Sequence, residues 1–189
     1  MKDSQQKLTD YTGEEYLKIL NLAKSIFEPG ISDASPKFVI LIGGVGSGKT
    51  TMRKDKYVKG YVQFDFGEIL MSLRKIFGNN DSRMTDSASA VCEMVMEESL
   101  GKKKNIVIEI IGDKKDVIEP VIDGITKLGY KVSIVYVSVD PAEGYKRHLK
   151  AVHDDANYFS AYYSQEATLA FFYTHLGLGK MPQITPSAG

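Results

Sequence analysis

The 189-residue chain carries 24 basic and 24 acidic side chains, and 43% of its residues are hydrophobic. This length supports one domain, and the balanced charge excludes the broad positive field with which proteins attract nucleic acid, so we expect no nucleic-acid partner. No apolar run approaches the roughly 20 residues of a membrane helix, no secretory signal is visible, and the single cysteine excludes an internal disulfide. We therefore expect a cytoplasmic protein with no membrane partner.

The first predicted element is a helix over about residues 13 to 28. Thr12 and Glu15 have the spacing of a capping box, and apolar residues follow at intervals of three and four. Pro29 and Gly30 end this helix, and a short linker leads into an apolar strand over residues 38–42.

A glycine-rich segment follows that strand. Residues 43–50 fit the pattern Gly-x-x-x-x-Gly-Lys-Thr, in which backbone N–H groups and the start of the next helix face a polyphosphate. We predict that a nucleoside triphosphate, ATP or GTP, binds here, with Lys49 on the β- and γ-phosphates and the Thr50 hydroxyl on Mg²⁺. The predicted nucleotide-binding residues are Gly43, Gly44, Val45, Gly46, Ser47, Gly48, Lys49, Thr50 and Thr51.

Two acidic positions follow later strands. A helix over about residues 49–58 precedes a short strand at 61–64, after which comes Asp65; helices are predicted at about 67–77 and 86–100. Residues 105–111 are apolar except for Glu109, which indicates a strand buried on both faces. Because an unpaired buried carboxylate is costly, Glu109 should reach the carboxyl edge of the sheet or pair with a cation. The run Lys102 to Lys104 is interpreted as a solvated turn.

The last third of the chain continues the alternation. A helix is predicted over about 116–128, where Pro120 is tolerable only near the first turn, and a strand over 131–139. Asp140 and Pro141 then start a helix that carries Arg147. A final helix rich in aromatic residues, including Tyr162, ends at Gly177.

Strands that alternate with helices predict an α/β fold. We expect a three-layer P-loop NTPase fold with a mainly parallel sheet flanked by helices, and with ligands at the carboxyl ends of the strands. The glycine-rich loop, Asp65 and Glu109 all fall at or near such ends, so they should converge on one edge.

In order and spacing over about residues 10 to 150, the chain resembles the zeta-toxin family of P-loop kinases. The likeness lies in the upstream helix, the glycine-rich loop, the acidic residue after the second strand, and the segments 105–116 and 127–132. From the order of the elements we expect three parts: an N-terminal helix and linker packed on the core (1–36), a P-loop kinase-like domain (37–177) and a flexible tail (178–189). The resemblance implies transfer of a γ-phosphate to a small hydroxyl acceptor, such as a UDP-activated amino sugar, and an antitoxin protein as a partner.

The resemblance also implies roles for individual residues. Lys49 and Thr50 take the phosphate and magnesium roles, Arg147 belongs to the lid, and Glu109 binds the acceptor or orders the metal. We further expect Lys49 and Arg147 to act in catalysis, Thr50 and Asp65 to hold Mg²⁺, and Asp65, Glu109 and Arg74 to bind the acceptor. The family usually shows Asp-x-Asp after its second strand, with the second aspartate as the catalytic base. Here Gly67 takes that position, so the base is either Asp65 or Glu68.

Several alternatives remain open from the sequence. Asp65 is also suited to cap a helix, Glu109 to form a structural ion pair, and Arg147 to lie in solvent. For the whole protein, the alternatives are a nucleoside or nucleotide kinase and a non-enzymatic nucleotide-binding module with a decayed acceptor site. A GTPase switch is excluded because the chain has no Asn-Lys-x-Asp motif.

Overall fold

The protein is built around a four-stranded parallel sheet. The computed structural model describes residues 11–78, 83–112, 114–154 and 164–182. Its strands are β1 (Lys37–Ile42), β2 (Val62–Phe64), β3 (Ile106–Ile110) and β4 (Lys131–Tyr136). They lie in the order β2-β3-β1-β4, and every pair of neighbours is parallel. The strand order therefore reverses beside β1, where open α/β sheets bind their ligands.

Helices connect and cover these strands. Within the described ranges they are α1 (Gly13–Phe27), α2 (Lys49–Lys56), α3 (Phe66–Phe77), α4 (Met84–Gly101), α5 (Lys115–Lys127), α6 (Pro141–Asp154) and α7 (Ser164–His175). None of these helices combines the length and the hydrophobicity that crossing a membrane requires. Alternating strands and helices with a parallel sheet confirm the predicted α/β fold.

The sheet is covered on both faces, which gives the three layers. One face packs against α1, α3, α4, α5 and α7 and forms the main core, which includes Phe38, Phe64, Ile108 and the buried Cys92. The opposite face carries a smaller cluster of Val39, Leu41 and Val107, against which Met52 of α2 packs. Side chains alternate between the faces along a strand, so Glu109, two residues after Val107, points to the face that α2 covers.

Most predicted boundaries agree with the structure to within two residues, but α5 differs in one respect. Pro120 lies in its second turn, not the first as predicted. A proline there cannot donate to the carbonyl of Asp116, four residues earlier. The Tyr173 hydroxyl of α7 lies 3.4 Å from that carbonyl and donates to the carbonyl of Val117 at 2.9 Å. The Tyr173 hydroxyl thus supplies one donor close to the position where the proline removes one.

The other differences are small. Strand β4 ends at Tyr136 instead of 139, and α2 ends at Lys56 instead of 58. In the run Lys102 to Lys104, the first two side chains are exposed as predicted, but Lys104 is buried and the interpretation is wrong for it. Its ammonium donates to the carbonyl of Phe27, the last residue of α1, and to that of Gly30, three residues later. Tyr162 lies outside the described residues, so its predicted place in the last helix is not described.

Candidate nucleotide and acceptor site

The glycine-rich loop joins the end of β1 directly to α2. Gly48, the residue before the helix, has a left-handed conformation with φ of 96°, and no side chain caps the helix start. The first N–H groups of an uncapped helix form a positive site that suits a phosphate. The Ser47 hydroxyl is also buried, and no described residue hydrogen-bonds to it.

Gly46 sits where the loop touches the beginning of α6. Its φ is +69°, and a Cβ atom added there would lie 2.2 Å from the carbonyl oxygen of Gly144. Asp140 starts α6 as predicted, since its carboxylate accepts from the amides of Ala142 and Glu143. Only a glycine at position 46 meets both the backbone conformation and this close approach.

Lys49 is buried against its own loop. Its ammonium donates to the carbonyls of Gly43 at 2.7 Å and of Gly44 at 2.9 Å. Burial lowers the pKa of Lys49, and the negative charge of Glu109 opposes that shift. The ammonium is therefore held beside the loop, where a triphosphate would lie.

Thr50 and Glu109 meet across the edge of the sheet. The Thr50 hydroxyl donates to Glu109 Oε2 at 2.8 Å. A hydroxyl and a carboxylate are hard oxygen ligands, which Mg²⁺ prefers, so these two residues fit an ion that arrives with the nucleotide phosphates. Within the described residues no group of three or more His, Cys, Asp or Glu could hold a metal without such phosphates.

Arg53 is the centre of the site. Its guanidinium is fully buried and has four side-chain partners. Nε donates to Glu109 Oε1 at 2.8 Å, and Nη1 donates to Gln63 Oε1 at 2.7 Å. Nη2 contacts Glu68 Oε2 at 3.0 Å and Asp65 Oδ2 at 3.3 Å. The Arg53 side chain on α2 therefore contacts the ends of β2 and β3 and the start of α3.

Asp65 has two structural roles at the start of α3. Its Oδ1 accepts from the amides of Gly67 and Glu68, so it is the N-cap of the helix, and its Oδ2 faces Arg53. Burial and the nearby charge of Glu109 raise the pKa of Asp65 to about 7, although Arg53 acts against the shift. Donors contact both oxygens of Asp65, and its predicted role as a magnesium ligand stays a prediction.

Glu68 differs from Asp65 in its charge environment. Its carboxylate contacts Arg53 and also Lys54, whose ammonium lies 2.7 Å from Oε1. Burial acts to raise the pKa of Glu68, but the two cations outweigh it and the pKa is lowered. Glu68 therefore stays ionised in the range where Asp65 exchanges its proton.

The structure does not bring two predicted site residues into this cluster. Arg74 lies more than two helical turns along α3 from Asp65, with Nη1 at 3.8 Å from Met71 Sδ. Arg147 lies one turn beyond Gly144 on α6, exposed, and its Nε donates to Glu143 at 2.8 Å. Their roles in acceptor binding and catalysis stay predictions.

Arg53 has no predicted role from the sequence, although the sequence contains a signal for one. Arg53 follows Lys49 by four residues, so both lie on the same face of α2. Glu109 needed a cation and lies on the sheet face that α2 covers. The position of Arg53 on α2 and the need of Glu109 for a cation would together have indicated the ion pair between these two residues.

The fold of the chain is similar to those of known proteins. The chain is similar to a structure from the PezAT chromosomal toxin-antitoxin system of Streptococcus pneumoniae, with 20% identity and a TM-score of 0.59, over 79% of this chain and 67% of that chain. It is also similar to a structure of the Pnkp1/Rnl/Hen1 RNA repair complex, with 16% identity and a TM-score of 0.50, over 83% of this chain and 51% of that one.

These structural similarities show the fold. The chain spans about two thirds of the length of the first neighbour and about half of the length of the second. No curated protein sequence matches the chain. The family model described as Zeta toxin matches residues 24–157, which is more than half of the sequence. The chain therefore belongs to the zeta toxin family.

Proposed function

We propose that the protein is an ATP-dependent phosphotransferase that moves the γ-phosphate to the hydroxyl group of a small molecule. The observation that carries this proposal is the arrangement of Lys49, Thr50 and Glu109, with Asp65 beside them, at one edge of the sheet. A phosphate site and a carboxylate that exchanges its proton near neutral pH are the parts that phosphoryl transfer requires.

In this mechanism the acceptor oxygen attacks the γ-phosphorus, the bond to the β-phosphate oxygen breaks, and ADP leaves. Asp65 takes the proton of the acceptor hydroxyl. We assign this role to Asp65 because its pKa of about 7 suits a base, whereas Arg53 and Lys54 hold Glu68 in its ionised, paired state. Lys49 leaves its loop carbonyls to bind the phosphates. Mg²⁺ held by Thr50 and Glu109 would neutralise phosphate charge.

Family membership supports two further parts of the proposal. A UDP-activated amino sugar is the acceptor that the resemblance implies, and it belongs in any acceptor panel. An antitoxin is the proposed protein partner, since the first structural neighbour comes from a toxin-antitoxin system. A nucleotide-binding module without turnover is the second candidate. It is favoured by the glycine at position 67 and by the engagement of both Asp65 oxygens.

The proposal predicts that Lys49→Ala lowers kcat/KM for phosphate transfer by about 100-fold or more, because a buried cation directed at the transferring phosphate is lost. The measurement incubates the protein and Mg-ATP with a metabolite pool. Mass spectrometry then detects products that have gained one phosphate group. A melting curve for the variant separates loss of catalysis from loss of folding.

Lys102→Ala is the matched control, because this exposed lysine follows the end of α4, near the opposite edge of the sheet. It should leave transfer unchanged. Undiminished turnover in the Lys49→Ala variant would contradict the mechanism. ATP binding by the wild type without any phosphorylated product would favour the non-enzymatic module.

A further inference from the structure

The start of α6 packs against the phosphate loop on the side of β4. A Cβ atom added at Gly144 would lie 3.0 Å from the carbonyl oxygen of Val45, and the carbonyl oxygen of Gly144 lies against Gly46. The chain that leaves β4 is equally close, because a Cβ atom at Gly43 would lie 2.1 Å from the carbonyl oxygen of Val137. The first turns of α6 therefore border the loop on the side that faces away from β3.

The order of the strands gives the direction of a bound nucleotide. Phosphate transfer requires the γ-phosphate to point toward the acceptor, and the proposed acceptor site lies at Asp65 and Glu109, at the ends of β2 and β3. The loop follows β1, which has β3 and β2 on one side and β4 on the other. A triphosphate chain carries the nucleoside at the end opposite the γ-phosphate. The nucleoside therefore leaves the loop toward β4 and the start of α6.

Two side chains with flat rings lie at this place on α6. Tyr145 directly follows the residue that contacts the loop, and it is 64% exposed. His148 comes one helical turn after Gly144, so it lies on the face of α6 that contacts the loop, and it is half-buried. Because Tyr145 and His148 are separated by three positions on the helix, they are neighbours on its surface. Together they are called the aromatic platform.

Tyr136 is also strongly exposed on this side of β1, but it points away from the phosphate site. It pairs with Ile42, and paired residues of parallel strands direct their side chains to the same face of the sheet. Ile42 packs against the main core, whereas α2, whose first turn faces the phosphates, covers the opposite face. Tyr136 therefore does not belong to the aromatic platform.

We propose that the nucleobase of the bound triphosphate stacks on the aromatic platform, and that this contact binds ATP and GTP about equally well. The inference rests on the proposed function and specifies how the same site binds its nucleotide. Stacking uses the flat face that adenine and guanine share, and it does not distinguish the hydrogen-bonding groups at their edges. The absence of an Asn-Lys-x-Asp motif from the sequence agrees with this lack of preference.

The test measures the affinity of the full chain for ATP, GTP and inorganic tripolyphosphate by calorimetry in the presence of Mg²⁺. Tripolyphosphate fills the loop without a base. We expect the affinities of the wild type for ATP and GTP to lie within about threefold of each other. Tyr145→Ala should weaken the binding of both nucleotides about tenfold and leave that of tripolyphosphate unchanged, because only the stacking contact is lost. His148→Ala should show the same pattern with a smaller loss.

Two further variants check that the ring itself is responsible. Tyr145→Phe keeps the ring and should restore the affinity for ATP to within about twofold of the wild type. Tyr136→Ala is the matched control, because it removes an equally large and 71% exposed ring from the other face of the sheet. It should bind all three ligands as the wild type does.

Three results would overturn the inference. Equal losses for ATP and tripolyphosphate in Tyr145→Ala would show that the residue only supports the loop. Unchanged affinity for ATP in both Tyr145→Ala and His148→Ala would show that the base lies elsewhere. A preference of the wild type for one purine by more than about 30-fold would show that hydrogen bonds, and not stacking alone, recognise the base.

The same ligands separate the inference from the proposed function. A wild type that binds neither tripolyphosphate nor a nucleotide would contradict both. Phosphate transfer from ATP together with wild-type affinity in Tyr145→Ala and His148→Ala would support the transferase and overturn the aromatic platform. Nucleotide binding that depends on Tyr145, without transfer to any acceptor, would support the aromatic platform and contradict the transferase.

Discussion

Replacing Arg53 with methionine is expected to lower the free energy of unfolding by about 3–5 kcal/mol at neutral pH. Methionine fills much of the same buried volume, but it leaves Asp65, Glu68 and Glu109 without the guanidinium that contacts all three. Uncompensated charge in a dry site accounts for most of the loss. Urea denaturation of the wild type and the variant measures it.

Arg147→Met supplies the control, since that arginine makes an exposed pair with Glu143. It should change the unfolding free energy by no more than about 0.5 kcal/mol. Adding Glu109→Gln to Arg53→Met should recover part of the lost stability, because it removes a buried charge. A loss below about 1 kcal/mol in Arg53→Met would show that Arg53 does not organise the site.

Asp65→Asn is expected to change how stability depends on pH. The pKa of Asp65 is about 7 in the folded protein, above its value of 3.8 as a model group. Between these values the folded state holds a proton that the unfolded state has released, so stability falls as the pH rises from about 4 to about 7. The fall amounts to about 4 kcal/mol across the full range. Asparagine cannot ionise, so the variant should lack this contribution.

The substitution isolates the charge because asparagine caps a helix about as well as aspartate. Asp140→Asn is matched to it, since Asp140 is the exposed N-cap of α6. Urea denaturation at several pH values should give Asp140→Asn the wild-type slope, while Asp65→Asn gains stability relative to the wild type as the pH rises. Parallel pH profiles for the wild type and Asp65→Asn would show that Asp65 is ionised throughout.

Local patterns made the fold and the phosphate loop predictable. The four strands and the start of α6 are encoded by apolar runs and by cap residues that act within a few positions. The glycine-rich loop is equally local, because its glycines meet backbone requirements such as the contact of Gly46 with α6. Parallel pairing alone predicted that Asp65 and Glu109 lie at the same edge of the sheet.

Local patterns did not reveal the long-range pairings of charged side chains, although the need of Glu109 for a cation and the place of Arg53 on α2 gave a partial signal for one of them. Arg53 and Lys104 look like surface cations in the sequence, yet both are buried because partners distant in the chain surround them. Arg53 bonds to Glu109, 56 positions away, and Lys104 bonds to Phe27, 77 positions away. Periodicity and composition alone do not identify the partner of a buried charge. The protonation of Asp65 also depends on charges that the fold brings together.

Every step of the proposed reaction requires that the loop at residues 43–50 binds a nucleoside triphosphate. The most direct measurement is the melting temperature of the wild type and of Lys49→Ala, titrated with ATP and GTP in the presence of Mg²⁺. We expect the melting temperature of the wild type to rise by roughly 5 to 10 °C at about 100 times Kd, and that of the variant to rise far less. A wild type whose melting temperature no triphosphate changes, with or without magnesium, would contradict it.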